Sequence, residues 1–209
     1  MKQDIYFHIG LPRTATTWLQ QEFFPKLDLK LVLLHKGKPR IPTSGKVLVS
    51  YEGLCGDFRY PVQLRYFMLH GIKKLYPNAK IIICIRNKKS FIDSLYHQGV
   101  KSGIVWERKK DWLKIRDNRM FNFNKYTADI LTLFGVKRCY IYKYNTFKKD
   151  KQKVLTDMCK FLNVKMPMNI KDISINKGYY NWKHKFLLGY NFIWDSIKEY
   201  IIKRFVIRL

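Results

Sequence analysis

Acidic side chains are scarce in this 209-residue chain: 15 Asp+Glu stand against 41 Lys+Arg, a formal charge of +26. Part of that excess is a solvated, lysine-rich surface. The rest calls for an anionic partner, either nucleic acid, anionic lipid, an acidic polysaccharide or a phosphorylated cofactor. Cysteine is sparse too. Cys55, Cys84, Cys139 and Cys159 are widely spaced and form no CxxC pair. That spacing argues against a disulfide scaffold or a cysteine zinc site and for reduced core thiols. No apolar run reaches the roughly 18 residues of a membrane-spanning helix. The N-terminus lacks the apolar core of a signal peptide, so the expected setting is reducing and cytoplasmic. Internal repeats, low-complexity linkers and domain boundaries are also missing. Residues 1–209 are therefore read as a single domain, with 47% hydrophobic and 16% aromatic residues to fill a core.

What is present is organised around the first stretch. Ile5 to Ile9 is a short apolar run of strand type, followed by Gly10, Pro12 and the small residues Thr14, Ala15, Thr16 and Thr17. Apolar positions then return at helical spacing at Leu19, Phe23 and Phe24. A strand, tight loop and helix in that order form an anion site, because the unpaired N–H groups of a helix start point outward and its dipole favours negative charge. Arg13 adds a guanidinium fork suited to phosphate or sulfate. Thr16 and Thr17 add hydroxyl donors. The GxxxxGK[ST] pattern of triphosphate loops is absent, since alanine stands at the second glycine and no lysine precedes the hydroxyl pair. No obvious Walker-B carboxylate follows. The stretch reads as a phosphate loop that needs no magnesium, or, more simply, as an ordinary strand–turn–helix with a capping threonine.

Further along, Lys30–Leu34 and Lys46–Ser50 read as strands separated by a loop from His35 to Lys46. Glu52 follows the second of them, where open α/β sheets place their ligands. Residues Tyr60–Tyr76 carry a helical stripe that ends at Pro77-Asn78. Ile81–Ile85 is a continuous β-branched run of the central parallel-strand type. Arg86 ends it, and Asn87 can cap the helix bearing Phe91, Leu95 and Tyr96. Ser94 lies eight residues beyond Arg86, about two turns into that helix. Residues 100–125 are basic and aromatic, with Trp106, Trp112, Arg116, Arg119, Phe121 and Phe123. They suit a segment that covers a substrate or stacks on it, or a partly exposed helix anchored by tryptophan. Tyr126–Phe134 continues in helix to Gly135, and Cys139–Tyr142 is a strand. Asn145 or Thr146 can cap the next helix, whose stripe is Val154, Leu155, Met158, Phe161 and Leu162. Residues 165–180 are loop-like. Residues 181–209 form a basic, aromatic helical segment that packs on the core or lies on an anionic membrane. Strands alternating with helices predict a three-layer α/β/α domain with a mostly parallel central sheet.

Pro12-Arg13-Thr14-Ala15-Thr16-Thr17-Trp18 resembles the PK[ST]GTTW loop with which sulfotransferases hold the 5′-phosphosulfate of 3′-phosphoadenosine 5′-phosphosulfate (PAPS). Arginine replaces the usual lysine, as in the tyrosylprotein branch, and alanine replaces glycine, which suggests a tighter loop. Arg86 with Ser94 resembles the pair that binds the cofactor's 3′-phosphate. Ser50-Tyr51-Glu52-Gly53-Leu54 is similar to an S-x-E-x-L pattern of bacterial members, which makes Glu52 the candidate base, with His35, Asp57 and His97 as fallbacks. Phe161-Leu162-Asn163-Val164 resembles the family's FLG region. Ile175-Asn176-Lys177-Gly178 resembles the late Lys-Gly loop that closes on the 3′-phosphate, without its usual arginine.

The resemblance implies a P-loop-like sulfotransferase fold and in-line transfer from PAPS to a hydroxyl or amine. The product would be 3′,5′-adenosine bisphosphate (PAP), and no metal would take part. Arg13, Thr14, Ala15, Thr16, Thr17 and Trp18 would form the phosphosulfate loop. Arg86, Ser94, Lys177 and Gly178 would serve the 3′-phosphate. Arg13 would stabilise the bridging oxygen and Glu52 would take the acceptor's proton. The positive surface suits a glycan or glycolipid acceptor, with peripheral contact to an anionic membrane, and no nucleic acid is expected as substrate. Two other classes stay open on the residues alone. A small P-loop kinase would depend on magnesium. A basic nucleic-acid-binding protein would show salt-sensitive oligonucleotide binding.

Overall fold

The computed structural model describes residues 3–34, 40–56, 58 and 61–170. Lys177, Gly178, the 181–209 segment, His35 and Asp57 lie outside the described residues. The described chain forms two compact units, with Phe91–Arg116 in the second and the sheet in the first.

The first unit begins with β1 (Asp4–His8), whose residues from Ile5 onward are all buried. A loop leads to α1 (Thr16–Trp18), which continues as a π-helical turn over Leu19–Phe23 and a 3-10 turn over Phe24–Lys26. The spacing predicts one plain helix here. Pro25 has no N–H to give to the turn before it, and the helix changes type where that donor is missing. The wider turn places Leu19, Phe23 and Phe24 all at 0% exposure. β2 (Lys30–Leu33) and β3 (Lys46–Ser50) follow, then a 3-10 turn over Glu52–Cys55 and α2 (Gln63–Leu75). β4 (Lys80–Ile85) is the expected apolar strand, with Ile81 to Cys84 fully buried. α3 (Lys88–Lys101) leaves it and runs on into the second unit, followed there by α4 (Lys109–Lys114).

Back in the first unit are α5 (Phe123–Phe134), β5 (Cys139–Lys143), α6 (Tyr144–Lys149) and α7 (Lys151–Leu162). The expected cap at Asn145 or Thr146 is not the one used. Asp150 breaks the helix in two, and its carboxylate accepts from the Lys153 N–H at 3.0 Å. A carboxylate at that place also complements the positive end of the helix dipole.

The sheet has strand order β2-β3-β1-β4-β5, and its pairings are parallel throughout. Alternation along the strands sends Tyr6, Leu48, Ile82, Cys84 and Tyr142 into one apolar layer with Trp18, Leu19, Phe23 and the α7 residues Val154, Leu155 and Met158. On the other face Phe7 meets Tyr76 at 5.3 Å between ring centres, and Tyr66 of α2 donates to Asp129 of α5 at 2.9 Å. The first unit is thus a three-layer α/β/α arrangement with β1 at its centre. Arg65 of α2 is fully buried, its Nε donating to the Cys55 carbonyl at 2.8 Å and its guanidinium 4.2 Å from the Tyr126 ring centre. The four cysteines are free thiols, and Cys139 is only half-buried.

The second unit has its own small core of Tyr96, Val100, Val105 and Trp112. Gly99 lets the chain fold back there, because a Cβ would lie 2.4 Å from Val105 Cγ2. The aromatics expected to stack on a substrate are largely core: Trp112 is 2%, Phe121 1% and Phe123 6% exposed. Among the described residues, no helix is long and apolar enough to cross a membrane.

Candidate active site

The C-terminal ends of β1, β3 and β4 converge in the first unit, and each carries a residue singled out in the sequence. The loop after β1 is held from within. The Thr14 hydroxyl donates to the Leu11 carbonyl at 2.5 Å, and the Ile9 N–H donates to the Ile82 carbonyl at 3.0 Å. Arg13 (φ 64°) and Ala15 (φ 63°) both adopt the left-handed conformation. Ala15 sits at the N-terminus of α1, which has no side-chain cap. Glycine would adopt that conformation without penalty, so the alanine does not tighten the loop by choice of φ but bears a strained one. Gly10 is required by space: a Cβ there would lie 2.4 Å from Thr16 Oγ1 and 2.9 Å from His8 Cε1.

Glu52 opens the 3-10 turn after β3 and is half-buried. Burial raises its carboxyl above the ordinary carboxylate value, against the opposing Arg13 charge and a hydrogen bond from the Thr16 hydroxyl. The candidate base and two members of the loop are therefore close neighbours. Glu52 and Thr17, with Gln20, Gln21, Tyr51 and the apolar Pro25, Leu31 and Leu33, line a cleft of about 530 Å³.

Arg86 ends β4 as expected. Its Nη1 donates to the Arg13 carbonyl at 2.8 Å, its Nε donates to Ser90 Oγ at 3.0 Å, and its guanidinium lies 4.8 Å from the Tyr144 ring centre. Asn87 caps α3 by accepting from the Ser90 N–H at 3.2 Å. Arg86 lines a second cleft, of about 840 Å³, whose other cations are Lys88, Arg119 and Lys143 and whose wall includes Asn87, Asn122 and Asn145. Four cations, of which Arg119 is paired with Asp117 at 2.8 Å, and a set of amides along the cleft suit a ligand with several anionic oxygens and a polar ring.

Arg13, Thr16, Thr17, Glu52 and Arg86 are thus brought into one neighbourhood. Trp18 packs inward at 5% exposure, against Phe147 and under the Lys151 ammonium. Ser94 lies on the part of α3 that belongs to the second unit, as does the exposed His97. Among the described residues, no group of three His, Cys, Asp or Glu side chains is placed to hold a metal ion.

Sequence reasoning missed His8, Ser50 and Gln20. His8 Nδ1 lies 2.8 Å from Ser50 Oγ, and Gln20 Nε2 donates to the same oxygen at 3.0 Å. The one available signal was a histidine inside an apolar strand, directly before the loop.

Comparison with known proteins adds the family. A family model described as a sulfotransferase domain matches residues 64–190. No curated protein matches the sequence. Among solved structures, a sulfotransferase from Alicyclobacillus acidocaldarius is similar at a TM-score of 0.59 and 14% identity, over 84% of this chain and 87% of that one. A mouse sulfotransferase complexed with PAP is similar at a TM-score of 0.53 and 15% identity, over 91% of this chain and 64% of that one. At such identity the two structures speak to the fold, and the first unit shares their α/β architecture.

Proposed function

The chain belongs to the sulfotransferase family, and on that premise we propose that it moves a sulfuryl group from PAPS to a hydroxyl of a sugar-bearing acceptor, a glycan or glycolipid. The observation that carries this reading is the grouping of Glu52 with Arg13 and Thr16 at the loop after β1. A base, a cation and a hydroxyl donor in that arrangement serve an in-line displacement at a sulfuryl centre.

PAPS would supply the sulfuryl group and a stable bisphosphate leaving group. The residues present fit it. The left-handed turns at Arg13 and Ala15, with an uncapped helix start behind them, leave backbone N–H groups to hold the phosphosulfate end. Thr16 and Thr17 add hydroxyls, and Trp18 backs the loop from the core. Arg86, with Lys88, Arg119 and Lys143 in its cleft, suits the 3′-phosphoadenosine end. Ser94, Lys177 and Gly178 are assigned to the 3′-phosphate by resemblance alone. Arg13 stabilises the negative charge that grows on the bridging oxygen, and its guanidinium cannot lose its proton in doing so. Glu52 takes the proton of the acceptor hydroxyl. Its pKa, raised by burial, strengthens it as a base.

The Glu52 cleft supports a sugar-bearing acceptor. Amides and hydroxyls from Gln20, Gln21, Thr17 and Tyr51, beside the apolar Pro25, Leu31 and Leu33, match the polar edges and apolar faces of a sugar ring. The anionic-membrane contact expected of residues 181–209 concerns a segment outside the described residues.

The test is transfer from sulfur-labelled PAPS to a panel of saccharides. Glu52→Gln is expected to keep PAP affinity and lose transfer, and the wild-type rate is expected to fall on the acid side at a pH above the ordinary carboxylate range. Full transfer by Glu52→Gln would place the base elsewhere.

A further inference from the structure

Beneath the loop lie two buried polar side chains, His8 and Ser50, that the transfer chemistry does not use, and a third, Gln20, that ties them to the acceptor cleft. His8 and Ser50 face each other across the β1–β3 ladder, and both are at 0% exposure. Ser50 Oγ is shared between His8 Nδ1 at 2.8 Å and the Gln20 amide at 3.0 Å.

The protons can be assigned by counting. Ser50 carries one. If it is donated to His8 Nδ1, every contact is satisfied except the imidazole Nε2–H, which is buried without a partner. If Nδ1 carries the proton instead, both the Nε2 lone pair and the Ser50 hydroxyl proton are stranded. Each stranded buried group costs about 1–3 kcal/mol, so with the Gln20 amide donating to Ser50 Oγ the neutral ring protonated on Nε2 is the better arrangement. With that amide turned, Ser50 would donate to Gln20 and the other tautomer would also strand a single group. Burial keeps this ring neutral, holding its pKa down to about 3. Among the described residues its neighbours include Ser50, the Phe24 ring, Gly10 and Thr16, with Gln20 beyond Ser50, and none of these is charged.

This buried group touches both halves of the site. On one side the His8 ring lies under Gly10, so close that a Cβ would be 2.9 Å from Cε1, with Thr16 Oγ1 bordering the same space. On the other, Ser50 ends β3 two residues before Glu52, where the main chain of position 8 also accepts from the Tyr51 N–H at 3.2 Å whatever its side chain. Gln20 itself lines the cleft with Thr17 and Glu52. A leucine or phenylalanine would fill the strand position without burying polar atoms, so stability alone does not explain the choice.

We propose that His8, Ser50 and Gln20 are positioning residues: a buried hydrogen-bonded strut that holds the loop from Gly10 to Thr16 and the strand end bearing Glu52 at one fixed spacing. This rests on the reading above, in which the loop takes the donor and Glu52 the acceptor's proton.

The experiment uses the full chain with PAPS alone, protein in excess and water as the acceptor, following PAP release in a single turnover. PAP affinity, the thermal midpoint and the ¹⁵N imidazole spectrum are measured alongside. Ser50→Ala and His8→Leu are expected to slow release about 10²-fold, the scale of an ångström's misplacement, with PAP affinity within about threefold. Each single variant strands a buried partner and lowers the midpoint, whereas the double variant, His8→Leu with Ser50→Ala, removes both partners and is expected to keep the midpoint while remaining slow. His8→Asn, which keeps a polar atom at the Nδ1 position, is expected to recover most of the loss. The wild-type spectrum is expected to show the Nε2–H tautomer, and Ser50→Ala to disturb it.

Release within about twofold of wild type in Ser50→Ala, His8→Leu and Gln20→Leu, with PAP still bound, would overturn the strut. So would rate, affinity and midpoint falling together, which marks a merely structural role. Failure of the wild type to bind PAP would overturn the reading of the loop instead, and the tautomer spectrum would still decide whether the strut is built as described.

Discussion

β1 and β4 are neighbours in the sheet, and both run from their C-terminal ends into a helix, but they make the turn differently. The β4 junction is short. Arg86 and Asn87 carry the chain into α3, and Asn87 caps it through the Ser90 N–H. The β1 junction is long, includes left-handed backbone at Arg13 and Ala15, and enters α1 without a side-chain cap. The capped junction ties the Ser90 N–H to its own Asn87 and offers a ligand the side chains of Arg86, Asn87 and Lys88. The uncapped one keeps backbone N–H groups in reserve for an anion. The two are joined, since Arg86 donates to the Arg13 carbonyl at 2.8 Å. The cation at one junction thereby holds the backbone shape of the other.

Breaking the β1 junction should have the largest effect. Arg13→Ala is expected to lower the transfer rate from PAPS by about 2.7–4 kcal/mol of transition-state stabilisation with the thermal midpoint preserved. A near-normal rate would remove Arg13 from the chemistry. Breaking the cap at the β4 junction should be felt in stability instead. Asn87→Ala is expected to cost about 1 kcal/mol in denaturant unfolding. An unchanged unfolding midpoint would mean that the Ser90 N–H is satisfied equally well by water. The smallest effect sharpens the contrast. Ala15→Gly relieves a left-handed alanine, and after glycine's extra chain entropy the protein should gain about 0.5 kcal/mol in the same measurement. The matching change at Asn87, →Gly, has no such strain to relieve, because a cap residue already prefers non-helical backbone.

The same two junctions show how far the sequence could be read. Strand cores such as Ile81–Cys84 were legible because a continuous β-branched run has few other uses, and each observed strand lies within about two residues of its expected limits. The loop was legible because Gly10, Pro12 and the threonines punctuate it. The helix type after Trp18 was not, because Leu19, Phe23 and Phe24 fit a plain helix as well as a π turn, and only Pro25 hinted at the change. The cap at Asp150 was missed because Asn145 and Thr146 offered the same chemistry nearby. Glu52 was singled out by its place after a strand and by the S-x-E-x-L resemblance, neither of which shows that Arg13 and Thr16 stand beside it. His8 was read as part of an apolar strand, since its partner Ser50 stands opposite it only once β1 and β3 are in register. Trp112, Phe121 and Phe123 fitted a stacking surface or a tryptophan-anchored helix equally; tertiary packing, which no local pattern reveals, buries Trp112 in a core and leaves Phe121 and Phe123 at low exposure along the Arg86 cleft.

On this reading the loop after β1 and the arginine after β4 together hold PAPS. Calorimetric titration with PAP, in the presence of a chelator and set against ATP–magnesium, tests it most directly. The account expects tight, metal-independent PAP binding that weakens by about 1.5–3 kcal/mol in Arg86→Ala, the loss typical of a hydrogen bond to a charged group. Folded protein that ignores PAP and binds ATP–magnesium would contradict it.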